Sequence, residues 1–311
     1  MTALLKFFWP LLKTFFITGC FPFKKTSDSF IGFEAIKTRF YILLPICFQG
    51  LPMVLYFLYQ FASKTTDTFD SSFEALALDQ KSPLDSALYY CLAASVIVHF
   101  IITGLIWQKR YSYISLVEYL EQFQVKEENL WTEKLLIIFS FGSFISGFAL
   151  QLLWIIYRIV NGESINEVMS IIDAILFILQ YYGPNSPIFS FIIMYGNVCT
   201  NIRLILKDKM EKIQNNGKYL RECESFFIDG IRKANEFFSS FLFLIIGQYL
   251  IAVTFGSYST IFTVLSIDGL HLKYLCFGIS QVLLTFYVAS IVFVINHFSD
   301  EVSSTFQSYK V

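Results

Sequence analysis

The stretch Phe237 to Ile267, FFSSFLFLIIGQYLIAVTFGSYSTIFTVLSI, contains no Asp, Glu, Lys or Arg. A helix needs about 20 apolar residues to cross the roughly 30 Å hydrocarbon layer of a bilayer, and this run exceeds that length. Phe40 to Ala62, Ser86 to Trp107, Leu135 to Tyr157 and Tyr274 to Phe298 are equally free of charge. Ile171 to Thr200 holds one acid, Asp173, and a break at Gly183-Pro184-Asn185-Ser186-Pro187. Within lipid every backbone N–H and C=O must be paired inside its own segment, so these runs read as helices. Consecutive apolar residues such as Phe241-Leu242-Phe243-Leu244-Ile245-Ile246 lack the alternation of a membrane barrel strand. The expected fold is all-α, a polytopic membrane helix bundle with six predicted spans at about 40–62, 86–107, 135–157, 171–200, 237–267 and 274–298.

Composition points the same way. The chain has 311 residues, 55% hydrophobic and 19% aromatic, and only 15% of them are charged, against about 25% in an average soluble domain. With 36 phenylalanines and a mean hydropathy of +0.58, the apolar surface needs lipid as its solvent, which argues against a cytosolic enzyme. A net charge of −1 gives neither the basic excess of a nucleic-acid binder nor the acidic excess of a disordered chain.

The placement of the cations sets the expected threading, because loops rich in Lys and Arg stay on the cytoplasmic side. The segments 1–39, 108–134, 201–236 and the C-terminal tail hold nineteen of the 23 basic residues, whereas the alternate segments hold Lys64, Lys81 and Arg158. Both termini are therefore expected in the cytoplasm. Splitting the Ile171 to Thr200 run into two crossings would send the cation-rich 201–236 loop outside, so the Pro/Gly break reads as a bend or widened end of one span. The layout is a cytoplasmic N-terminal segment, 1–39, with an interfacial helix, a transmembrane bundle, 40–298, a charged helical loop, 201–236, and a tail, 299–311. A signal peptide is rejected, because Lys6 and Lys13 interrupt the apolar lead and no small-residue cleavage site follows. The expected location is the plasma membrane.

All six cysteines fall in spans or on the cytoplasmic side, where thiols stay reduced, and no pair has CxxC spacing. No disulfide, metal site or cofactor is expected. No Walker motif, GxSxG elbow, HExxH or Gly-rich dinucleotide loop occurs, so no catalytic residue is expected either. The expected outer segments carry nine acids against three bases, a balance that would raise the local cation concentration or that simply reflects loops poor in Lys and Arg.

Candidate ligand contacts are few. Tyr89, Tyr90, Trp154, Tyr157, Tyr181 and Tyr182 cluster near the outer ends of spans, where interface anchoring explains them. A small-molecule pocket is also aromatic with a few polar groups, and Trp154 and Tyr182 are the strongest candidates because the break at Gly183-Pro184 opens room beside them. Asp173 is the carboxylate nearest a span interior and serves either as an ion or ligand contact or as a solvated helix end. His99, Gln151 and Gln248 are mid-span polar groups that either meet a ligand or hydrogen-bond between helices.

The opening Leu4 to Phe23, with Leu11-Leu12-Lys13, Gly19 and Phe21-Pro22-Phe23, resembles the leucine-rich lead and Gly-x-Phe-Pro start of arthropod gustatory receptors. Glu224 to Thr260 is similar to their fifth-span entry, where a charged cytoplasmic helix runs through Asn235-Glu236-Phe237-Phe238 into a long apolar segment. Family members have seven spans, and Asn296 to Val311 resembles the polar helix that precedes the seventh, so the chain is expected to stop before the pore-lining helix. The resemblance implies a homo- or heterotetrameric, ligand-gated cation channel for small-molecule tastants, with a pocket in the outer half of each bundle. The Asp-Arg-Tyr and Asn-Pro-x-x-Tyr signatures of G-protein-coupled receptors are absent. Competing readings are a transporter, with Gly183-Pro184 as a broken helix, and a non-conducting or truncated receptor subunit.

Overall fold

The computed structural model describes residues 3–27, 31–51, 54, 83–123, 130–160, 167–215, 220–265 and 272–308; parts of these helices, including 83–96 and 167–185, are described by their backbone alone. Helix makes up 87% of this, so the all-α class holds for the architecture. The elements are α1 (Ala3–Ile17), a short hairpin of β1 (Phe23–Lys25) and β2 (Phe33–Ala35), a run of tight helical turns from Arg39 to Gly50, α2 (Pro83–Glu121), α3 (Trp131–Val160), α4 (Glu167–Asn215), α5 (Leu220–Leu265) and α6 (Leu272–Gln307).

Helix α4 is the axis of the bundle and packs against α1, α2, α3, α5 and α6. Every residue from 186 to 200 is buried. A helix covered on all sides must be apolar all round, and Ile188, Phe189, Phe191, Ile192, Ile193 and Met194 satisfy that. Gly196 lets α6 come close: a Cβ there would lie 2.7 Å from the Phe298 ring. The helix runs without interruption through Gly183-Pro184-Asn185-Ser186-Pro187. Each proline forfeits one backbone hydrogen bond, and the flanking turns carry the helix past both.

Among the described residues one helical segment, Ser186–Lys212, is long and apolar enough to cross a membrane, with a mean hydropathy of 1.4 and 89% of its window buried. A central core helix of any bundle has the same character, so the outer faces of the other helices carry more information. The first expected span, 40–62, is described only to Leu51 and at Val54, and begins as a 3₁₀ turn, one α turn and a π turn rather than a regular helix.

The N-terminal segment departs from a purely helical reading. Helix α1 buries Leu4, Leu5, Phe8, Leu12 and Phe15, a stripe at helical spacing that faces α4, where Phe15 stacks on Phe189. It ends in a Schellman cap: Gly19 N–H donates to Phe16 O at 3.0 Å and Cys20 N–H to Phe15 O at 2.9 Å. Gly19 adopts φ 75°, and a side chain there would also collide with Pro45.

The following residues pair as strands, with Phe23 opposite Ala35 and Lys25 opposite Phe33. This corrects the expectation of helices alone. The segment lies outside the apolar runs, so the rule that lipid imposes helix does not reach it. Its alternation buries Phe23 and Phe33 and leaves Lys24 to meet Glu34 at 2.7 Å.

All five long helices run beyond the charge-free stretches that announce them, three of them by the widest margins. Helix α2 continues from Trp107 to Glu121, α4 from Thr200 to Asn215, and α5 starts at Leu220, before Phe237. Ion pairs one turn apart support the extensions, Lys212 to Asp208 at 2.6 Å and Arg232 to Asp229 at 2.9 Å. Lysines also cap aromatic rings between helices: Lys233 sits 3.9 Å from the Tyr119 ring and Lys209 4.9 Å from that of Phe123.

Candidate functional site

Two polar centres are built into the bundle. The first joins α2 and α5 through His99 and Gln248. His99 is buried, at 3% exposure, and its Nε2 lies 3.5 Å from Gln248 Nε2. For the amide to donate to that nitrogen, the imidazole proton must sit on Nδ1. Thr103, one turn on, donates its hydroxyl to the His99 carbonyl at 2.9 Å. A neutral imidazole and an amide in an apolar interior each carry both donor and acceptor capacity, which is the chemistry that reads an uncharged polar ligand or bonds one helix to another.

Of the residues singled out from the sequence as possible ligand contacts, the structure gives surroundings for His99 and Gln248. Tyr89 and Tyr90 lie on α2, Gln151 and Trp154 on α3, and Asp173 and Tyr182 on α4. Their side chains fall outside the described residues. The partner of His99 is Gln248, the other mid-span polar residue read as an interhelical group.

The second centre went unnoticed in the sequence. Arg203 on α4 reaches Glu133 on the first turn of α3 at 2.5 Å through one guanidinium nitrogen, and Glu301 on α6 at 3.0 Å through the other. His297, one turn before Glu301, places Nε2 3.5 Å from the same carboxylate oxygen. Glu133 is 2% exposed. A buried carboxylate is tolerated only when paired, and the arginine fork answers two at once. Beside this centre the Tyr195 hydroxyl bonds the Cys199 thiol and Ser299, closing α4 on α6. The available signal was the position of these charges at the margins of apolar runs, where each looks like an ordinary boundary residue.

The remaining interior polar contacts tie helices together. Ser290 donates to Ser140 at 2.9 Å, joining α6 to α3. Tyr113 on α2 is wholly enclosed; burial pushes its phenol well above the ordinary range, with Asn197 on α4 acting the other way. The Trp107 indole donates to Gly19 O at 2.7 Å, fixing the α1 cap to α2. Lys109 donates to the carbonyls of Glu236 and Phe237 at 2.7 and 3.1 Å, where α5 enters its charge-free run. A shallow groove of about 580 Å³ runs along α5 past Phe227, Ile231, Asn235 and Ser239. Among the described residues no group of three or more His, Cys, Asp or Glu is placed to hold a metal ion.

No family model matches the chain, and neither a curated protein nor a solved structure does.

Proposed function

We propose that the chain is a multi-pass plasma-membrane chemoreceptor subunit, similar to arthropod gustatory receptors, that threads six helices through the bilayer from a cytoplasmic N-terminus. Binding of a small molecule within the bundle opens a cation path in a tetramer of like or related subunits.

The observation that carries the membrane reading is the outer surface of the bundle. Large apolar side chains stand exposed at helical spacing on α3 (Leu135, Ile138, Phe139, Ile145, Leu153, Ile156), on α5 (Phe243, Ile246, Leu250) and on α6 (Val282, Phe286, Phe293). Phe243 is 79% exposed and Phe139 62%. Soluble monomers rarely present such continuous apolar area, whereas lipid accepts it without cost. The described charges on these helices gather instead towards one end, at Glu133, Arg232 and Glu301, beside Arg203 of α4, as helix ends in water require.

The receptor reading rests on the family resemblance, together with an interior polar pair, His99 and Gln248, suited to a neutral ligand. The transporter alternative loses its main support, since the helix continues through Gly183-Pro184 rather than unwinding there. The test is current recording from cells carrying this chain alone and with a seven-span gustatory receptor. Ligand-evoked cation current that disappears when His99 and Gln248 are both replaced by leucine, at unchanged surface expression, supports the proposal. Substrate uptake without current contradicts it.

A further inference from the structure

We propose that the outward face of α1, together with the start of α3 beside it, is a docking surface for the anionic headgroups of the lipid leaflet it meets. The proposal rests on the membrane reading and adds the chemistry of the lipid.

Helix α1 buries one stripe against α4 and turns the opposite face outward, where Lys6, Phe7, Lys13 and Ile17 are exposed. Both ends of the helix are pinned at margins of charge-free runs. Lys134, one residue before the run 135–157, lies over the Phe7 ring at 4.9 Å. Trp107, the last residue of the run 86–107, donates its indole N–H to the Gly19 carbonyl at 2.7 Å. In the proposed threading both margins face the cytoplasm, so α1 lies along the inner boundary of the bilayer.

Charge selects the lipid. α1 contains no acid, and Lys6 and Lys13, two turns apart, are separated by about 10 Å along the helix axis. Lys134 adds a third cation at the Phe7 end, and its neighbour Glu133 does not offset it, being buried against Arg203. On the adjoining hairpin Lys25 is exposed, while Lys24 is matched by Glu34 at 2.7 Å. Lysines held at a membrane surface attract acidic headgroups.

The apolar side chains around these lysines fit the same occupant. Trp131, 56% exposed, falls with Lys134, Leu135 and Ile138 on one helical stripe, which continues the exposed apolar face of α3. At the other end Ile17 is followed by exposed Ile42, Leu43 and Ile46, on turns that α1 touches where the Phe16 and Tyr41 rings lie 5.6 Å apart. An indole and the long stems of lysine are the groups that reach from acyl chains to headgroups. An acidic protein would match the lysines but not the apolar side chains that flank them at both ends.

The test is binding of dansyl-labelled phosphatidylserine and phosphatidylcholine to the full chain in neutral maltoside micelles. The parent should bind the serine lipid more tightly, and the preference should fade in about 1 M salt, where the screening length is about 3 Å. Lys6→Gln with Lys13→Gln should weaken phosphatidylserine binding by about 25-fold, about fivefold for each lysine. The same variant should leave phosphatidylcholine binding and the helical melting curve unchanged, and Lys6→Arg with Lys13→Arg should bind as the parent does. Equal binding of the two lipids by the parent overturns the proposal while leaving the membrane reading intact. An unchanged preference in the glutamine variant, or displacement of the serine lipid by inorganic phosphate at constant ionic strength, does the same. A chain that stays monodisperse without detergent and takes neither lipid overturns the membrane reading and the proposal with it.

Discussion

Substituting Gly196 by alanine tests the packing on which the bundle rests. The added Cβ would lie 2.7 and 2.8 Å from two ring carbons of Phe298, whereas carbon atoms rest about 3.5–4.0 Å apart. The ring must therefore retreat by about 1 Å. It has little room, since Phe298 is 1% exposed and α6 is held to α4 by the Arg203 to Glu301 bridge. Overpacking of this kind costs about 1–3 kcal/mol. At about 2–4 °C per kcal/mol for a chain of this order of size, thermal unfolding in detergent, followed by helical circular dichroism, should shift down by several degrees. Phe298→Leu removes the obstructing ring carbons and leaves a cavity of its own. The double variant should be more stable than the sum of the two single losses, with a coupling of about 0.5–3 kcal/mol. Full additivity, or an alanine variant as stable as the parent, would refute the close approach of α4 and α6.

Arg203→Met strands the Glu133 carboxylate in the interior and should destabilise by about 3–5 kcal/mol. Adding Glu133→Gln and Glu301→Gln should return most of that loss, measured by the same melting curves, because an apolar or neutral site asks for no counter-charge. Trp154→Ala and Tyr182→Ala should change ligand sensitivity more than surface expression, read by dose–response current and surface labelling, and the reverse pattern would assign both residues to interface anchoring.

The helices were legible because their signal is redundant. Between Phe237 and Ile267 thirty-odd positions in a row lack charge, and α5 covers nearly all of that stretch. The ends were less legible. The helices outrun the apolar runs because Asp208 with Lys212 and Asp229 with Arg232 sustain helix in polar surroundings, and hydropathy is blind to that support. The hairpin at Phe23–Ala35 was hidden for a related reason, since strands this short show only one alternation each. Of the polar groups, His99 and Gln248 were conspicuous as isolated polar residues in apolar runs, and the structure brings them together. Glu133, Arg203 and Glu301 sit at run margins among many other charges. Their pairing depends on how α3, α4 and α6 meet, which no local pattern encodes. The Gly183-Pro184-Asn185-Ser186-Pro187 stretch reads in the sequence as lying within one span and not as a loop between two, and one helix does run from Glu167 to Asn215 through it.

The central claim is the threading of the chain through a bilayer, and the most direct measurement is the sidedness of the segment from Asn201 to Glu236. A small epitope inserted near Asn216 in the full chain, probed on intact and then on permeabilised cells, should be reached by antibody only after permeabilisation, as should one at the N-terminus. Labelling of the Asn216 epitope on intact cells would contradict the account.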